Sequence, residues 1–121
     1  MPLLKVEIVE SPEWSRPPNL ARRIADAVAE ALGAPPESVW VRLTTIAPGD
    51  YAENGGAPTD AAPVFVTILE KEPPHGSVIA AEVAALTNAI ASACGRPDGD
   101  IHLVYEPPGR DRVAFGGRLV T

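Results

Sequence analysis

The residue whose position alone gives it unusual chemistry is Pro2, directly behind the initiator methionine. A small second residue permits removal of Met1, and the chain then opens on a free secondary amine. In an apolar pocket, loss of hydration disfavours the charged amine, lowers its pKa and makes a neutral base available near pH 7. Few other groups could join it. Arg42, Lys71, Arg110, Arg112 and Arg118 are cations that could hold a carboxylate. Each also has a plainer reading. Arg110 and Arg112 flank Asp111, the pattern of a solvated ion-pair loop; Arg42 shares a strand face with Trp40 and Thr44 and could form an interface ion pair; Lys71 ends a strand as an ordinary exposed charge would. Tyr51, Tyr105 and Phe115 could line an apolar pocket, or equally serve as core or interface material. His102 reads as a solvent-facing or interface histidine, His75 as exposed in a Pro-Pro-His-Gly turn, and Cys94 as a buried thiol. Two scattered histidines and one cysteine do not make a zinc site, so neither a metal nor another cofactor is expected. Gly55-Gly56 and Gly116-Gly117 follow no strand-to-helix boundary and are not read as phosphate loops.

The background composition narrows the partners. Ten basic against sixteen acidic residues give a formal charge of −6 and a pI near 4.8. That balance argues against nucleic acid, because phosphate binding needs clustered cations to displace counterions. A hydrophobic share of 45% is enough for a small core. No apolar run reaches the ~20 residues that span a bilayer and no basic-then-apolar leader opens the chain, so no membrane partner is expected. A single cysteine excludes an internal disulfide framework, and a cytoplasmic location is the expectation.

The elements that must position Pro2 are marked out by 14 prolines, which punctuate the chain rather than spread through it. Residues 3–10 (LLKVEIVE) alternate and are β-branched, predicting a strand with Leu4, Val6 and Ile8 on one face and Lys5 and Glu7 on the other. From about 18 to 32 the apolar residues recur at helical spacing, opposite Arg22, Arg23, Asp26 and Glu30. Gly33 stops this helix and Pro35-Pro36 bars its continuation. Residues 39–46 predict a second strand, and 48–62 a turn-rich connection long enough for a short hairpin. Residues 63–69 predict a third strand. A helix over about 77–93 follows, alanine-rich and uncharged except for Glu82, and Gly95 ends it. Residues 101–106 predict a fourth strand, and 107–121 an irregular tail with one short strand.

The order is β-α-β twice, and the sequence repeats with it. Pro2 and Pro63 open strands 61 residues apart, Gly33 and Gly95 end helices before Pro35 and Pro97, and Gly55-Gly56 echoes Gly116-Gly117. Neither unit alone can bury its ribbon. The expectation is therefore one α+β domain over 1–121, a two-layer sandwich in which repeat one (about 2–56) and repeat two (about 63–117) share a four-stranded sheet with both helices on one face. The other face is expected to be apolar and open, which favours oligomerisation through it.

Element order alone leaves a ferredoxin-like domain and a tautomerase-like one open, and Pro2 separates them. The opening PLLKVEIVE, the Leu32-Gly33-Ala34-Pro35-Pro36 junction, the stretch from Leu86 through Cys94-Gly95 to Ile101, and the tail Val113-Ala114-Phe115-Gly116-Gly117 together resemble the tautomerase superfamily. The resemblance runs to 4-oxalocrotonate tautomerase (4-OT), macrophage migration inhibitory factor and malonate semialdehyde decarboxylase. It implies a homotrimer whose N-terminal proline is the catalytic base or acid, acting on a small-molecule carboxylate. Departures accompany it. Places where relatives carry arginines fall on Pro12 and Trp40, a relative's lysine falls on Ala34, and an arginine pair after the third strand is reduced to Glu70-Lys71-Glu72. The decarboxylase's acid falls near Ser38, beside Glu37. Dicarboxylate binding needs two cationic anchors, whereas moving a proton in an enol or α-keto acid needs one base and one anchor. The resemblance thus implies a tautomerase-type isomerase with Pro2 as shuttle, Lys71 or Arg110 or Arg112 on the carboxylate, and Tyr51 and Phe115 shaping the pocket. Decarboxylation or dehalogenation of three-carbon acids, and a non-catalytic trimeric binding protein, are the alternatives.

Overall fold

A computed structural model describes residues 1–56 and 62–121. The chain runs β1 (Leu3–Val9), α1 (Leu20–Leu32), β2 (Trp40–Ile46), β3 (Val64–Leu69), α2 (Gly76–Cys94), β4 (Ile101–Tyr105), β5 (Ala114–Phe115) and β6 (Arg118–Leu119). The four long strands form one sheet in the order β2-β1-β3-β4. Each β-α-β unit supplies a parallel pair, and the two units join antiparallel at β1 and β3. This is the two-fold arrangement that the 61-residue echo predicts.

Alternation places Leu4, Val6 and Ile8 of β1 and Val64, Val66 and Ile68 of β3 against the helices, all essentially without solvent contact. Leu20, Ile24 and Val28 of α1, with Leu86 and Ile90 of α2, close the same core. Fully burying each such side chain contributes about 1.5–3 kcal/mol relative to exposure. Both helices end on a left-handed glycine, Gly33 (φ 64°) and Gly95 (φ 69°). In each, the residue after the glycine donates its N–H back into the last turn, Ala34 to Ala29 and Arg96 to Ala91.

Three expectations need correction. The open face of the sheet is mixed rather than apolar: Lys5 lies between Arg42 and Thr67, and Glu7 between Thr44 and Phe65, with His102 beyond. The outward phase of every strand carries polar residues, set among the apolar Leu3, Val9, Trp40, Ile46, Phe65, Leu69 and Val104. The tail holds two short strands, β5 and β6, closed as a hairpin over Gly116 and Gly117 at positive φ. And α2, with 19 residues and a mean hydropathy of 1.5, is long and apolar enough to cross a membrane by length and composition; here its Leu86, Ile90, Ala93 and Cys94 are buried in the core. The hairpin expected within 48–62 falls partly on 57–61, outside the described residues; before them, Pro48–Asp50 makes one 3₁₀ turn.

Candidate functional site

Pro2 is buried at the start of β1. Its carbonyl accepts the Trp40 backbone N–H at 3.0 Å, which fixes the chain's first residues against β2. Two cavities meet at it. One, of about 460 Å³, is walled by Glu37, Trp40, Phe115 and Val120. The other, of about 390 Å³, is walled by Leu32, Ala34, Glu70, Glu72 and Glu82. Met1, Pro2 and Lys71 line both. The Met1 side chain packs against Gly109, where an added Cβ would come within 2.4 Å of the Met1 Cε and 3.2 Å of the Glu70 carbonyl oxygen. While Met1 remains, the Pro2 nitrogen is an amide with no basic lone pair.

The walls of the first cavity are held from both repeats. Trp40 meets Phe115 edge-on, ring centroids 5.0 Å apart, and its indole N–H donates to the Glu37 carbonyl at 3.0 Å. Glu37 sits at φ 65°, left-handed backbone that side-chain-bearing residues seldom adopt. Lys71 follows β3, and its carbonyl accepts the Arg110 N–H.

The second cavity carries the strongest electrostatic perturbation. Glu70 is only 9% exposed, and its Oε1 has no hydrogen-bond partner. Burial, then the facing Glu82 carboxylate, pushes the Glu70 carboxyl up to about 7. The Tyr105 hydroxyl, at the end of β4, donates to Glu82 Oε2 at 2.6 Å. Burial and that acceptor hold the phenol well above its ordinary range.

Of the residues singled out from sequence, Pro2, Lys71 and Phe115 come together. Arg110 does not join them: its guanidinium pairs with Glu72, which holds that carboxyl below its usual range. The expected pairing with Asp111 is not formed; Asp111 is left-handed (φ 59°) and its N–H donates to Val120. Arg112 lines a separate cavity of about 220 Å³ on the open sheet face with Lys5 and Arg42. Tyr51 stands against Phe65, centroids 5.8 Å apart, and donates to Glu53; within one chain it lines neither Pro2 cavity. His102 packs on Phe65, and Cys94 is buried, its thiol pushed up to about 11 by desolvation. Sequence reasoning missed Glu70 and Glu82 as site residues. A signal for Glu82 existed, since it is the one charge on α2. Among the described residues no group of three or more His, Cys, Asp or Glu could hold a metal ion.

No family model and no curated protein matches the sequence. Solved structures do resemble the fold. A fused 4-OT wild-type symmetric trimer is 27% identical, with 95% of this chain and 93% of that chain covered and a TM-score of 0.72. Macrophage migration inhibitory factor from Oncomelania hupensis is 17% identical over 100% of this chain and 83% of that one, with a TM-score of 0.73. FG41 malonate semialdehyde decarboxylase inhibited by 3-bromopropiolate is 23% identical over 94% and 90%, with a TM-score of 0.66. These neighbours are all tautomerase-superfamily proteins, the 4-OT neighbour is a trimer, and the chain described here has the tautomerase-superfamily fold.

Proposed function

We propose that this protein is a homotrimeric, cytoplasmic tautomerase-type isomerase that moves a proton in a small enol or α-keto acid, with the Pro2 amine as general base and acid. One observation carries the reading: Pro2 is buried where two cavities meet, beside a single lysine and two aromatic rings. The amine takes the enol hydroxyl proton as the carbonyl forms, and returns a proton to the conjugated carbon, so the amine is unchanged at the end of the cycle. Lys71 opposes the substrate carboxylate, and Trp40 and Phe115 flank its apolar part. Tyr51 would reach such a substrate only from a neighbouring subunit. The likeness to a trimeric 4-OT supports an oligomer, and the single anchoring cation favours a monocarboxylate.

The test is turnover of enol acids by untagged protein, compared with Pro2→Ala. General acid–base catalysis contributes about a hundredfold or more, and that much of kcat is expected to vanish in the variant. Release of carbon dioxide or halide from three-carbon acids without enol turnover would transfer the reading to a lyase. Absence of all turnover with a free Pro2 would leave a binding trimer.

A further inference from the structure

We infer that Glu70 and Glu82 form a second proton-transfer group in the Pro2 cavity, a carboxyl pair that shares one proton and exchanges it with the end of the substrate opposite Pro2. The inference rests on the proposed proton-transfer reaction and adds a partner to its single base.

Three observations converge on this pair. Both residues line the cavity that Pro2 and Lys71 line. Glu70 is more than nine-tenths buried, with one oxygen unpartnered, and two carboxylates facing each other in such a site cannot both ionise cheaply. Glu82 is the only charge on a 19-residue helix otherwise built of apolar and small polar residues, and a carboxylate half-buried in that setting costs stability that an apolar residue would not. The surrounding charges fix which proton is available. Tyr105 from β4 donates to Glu82 and so supports its charged form. Arg110 is committed to Glu72 in the adjoining turn. Lys71 is the remaining side-chain cation lining the cavity. Glu70 is thus the member that holds the proton.

The chemistry balances. Pro2 takes a proton from one end of the enol or keto acid while the Glu70 carboxyl gives its proton to the other end. The cycle closes when the prolinium proton returns to Glu70 through solvent, with no net acid or base consumed. A 1,3-shift divided between two groups spares one amine from having to reach both ends of the substrate.

The experiment compares wild type with Glu70→Gln, Glu82→Gln and Tyr105→Phe by three readouts. The first is kcat against pH. The second is Pro2 alkylation by 2-oxo-3-pentynoate, whose alkyne accepts the amine by conjugate addition, followed by intact mass. The third is carbon-13 NMR titration of the glutamate carboxyls. Wild-type kcat is expected to fall as pH rises through neutrality. Glu70→Gln is expected to lose about a hundredfold in kcat together with that pH limb, while Pro2 is alkylated at least as fast, because a neighbouring acidic group has been removed. Tyr105→Phe removes the hydrogen bond that favours the charged pair, and should move the limb to higher pH. A merely structural role would move neither the limb nor the kcat-to-alkylation ratio. In the NMR titration, one glutamate carboxyl should lose its proton near neutrality and vanish from the Glu70→Gln spectrum. Wild-type kcat and limb in Glu70→Gln, or every glutamate titrating in the ordinary range, would overturn the proposal. A wild-type Pro2 that neither turns over nor alkylates would instead sink the reading beneath it, and the titration would still decide whether the pair shares a proton.

Discussion

Pro2 and Pro63 open equivalent strands of the doubled fold, and each lies near a helix that ends on a left-handed glycine. The residue after that glycine is Ala34 beside Pro2 and Arg96 beside Pro63, with the same backbone capping bond. The side chains make the two ends chemically different. The Arg96 guanidinium is buried, donates to the Val9 carbonyl at 2.9 Å and to the Ala62 carbonyl, and lies 4.5 Å over the Trp14 ring. Trp14 in turn donates to the Cys94 carbonyl at 2.7 Å. The guanidinium ties that end together, although its Nε finds no partner and a cavity of about 570 Å³ lies beside Trp14, Ala62 and Arg96. At the Pro2 end, alanine leaves a cavity, and the position equivalent to Val9 is the buried, unpartnered Glu70. The contrast teaches that the fold leaves a cavity at both ends and that the side chains set their chemistry. One cavity is lined by a guanidinium already committed to two carbonyls, and the other by a buried carboxyl with an unpartnered oxygen beside Pro2.

The comparison can be broken at the guanidinium end first. Arg96→Ala removes two charge-assisted hydrogen bonds and a cation–π contact, and should cost about 3–4 kcal/mol of stability by denaturant unfolding. A loss below about 1 kcal/mol would mean that the guanidinium contributes little. Ala34→Arg transplants the guanidinium to the Pro2 end. It should cut enol-acid turnover by about a hundredfold, which is about 2.7 kcal/mol of transition-state stabilisation, and should leave the unfolding midpoint nearly in place. Unchanged turnover would show that the second cavity does not take part.

A smaller effect separates the ends by pH. The carboxyl of Glu70 binds its proton more tightly folded than unfolded. Between about pH 4.5 and 7 the native state therefore holds more protons than the unfolded one, and this group's contribution to stability is lost as pH rises. The difference between wild type and Glu70→Gln, followed by thermal unfolding across that window, should show wild type losing stability relative to the variant. A flat difference would mean that Glu70 is ionised throughout.

Much of the architecture was legible because prolines and glycines mark its joints. Strand and helix spans follow the segments between them within a residue or two, and Gly33 and Gly95 end their helices as read. The tail hairpin was harder, since its two-residue strands carry no periodicity. The open sheet face was misjudged because apolar alternation was weighed on the core side, while Lys5, Arg42, Thr67 and His102 set the character of the other side. Pro2, singled out by its place behind Met1, Lys71 as a cation after β3 and Phe115 through the resemblance of the tail, line one cavity. Glu70 and Glu82 were not singled out, and Tyr105 only as a possible pocket wall, because they lie on three different elements and only the β3-to-α2 connection and the β3–β4 pairing bring them together. The Ala34/Arg96 difference stood in the repeat all along. Its meaning depends on what each side chain reaches, which spacing cannot supply.

The central claim is that Pro2, freed of methionine, is the working amine. Intact-mass spectrometry of untagged protein during titration with 2-oxo-3-pentynoate, read alongside residual enol-acid turnover, tests it most directly. The account predicts a mass lacking one methionine, one reagent equivalent taken up on Pro2, and turnover falling in proportion to the labelled fraction. A retained Met1, or full labelling of Pro2 with turnover intact, would contradict it.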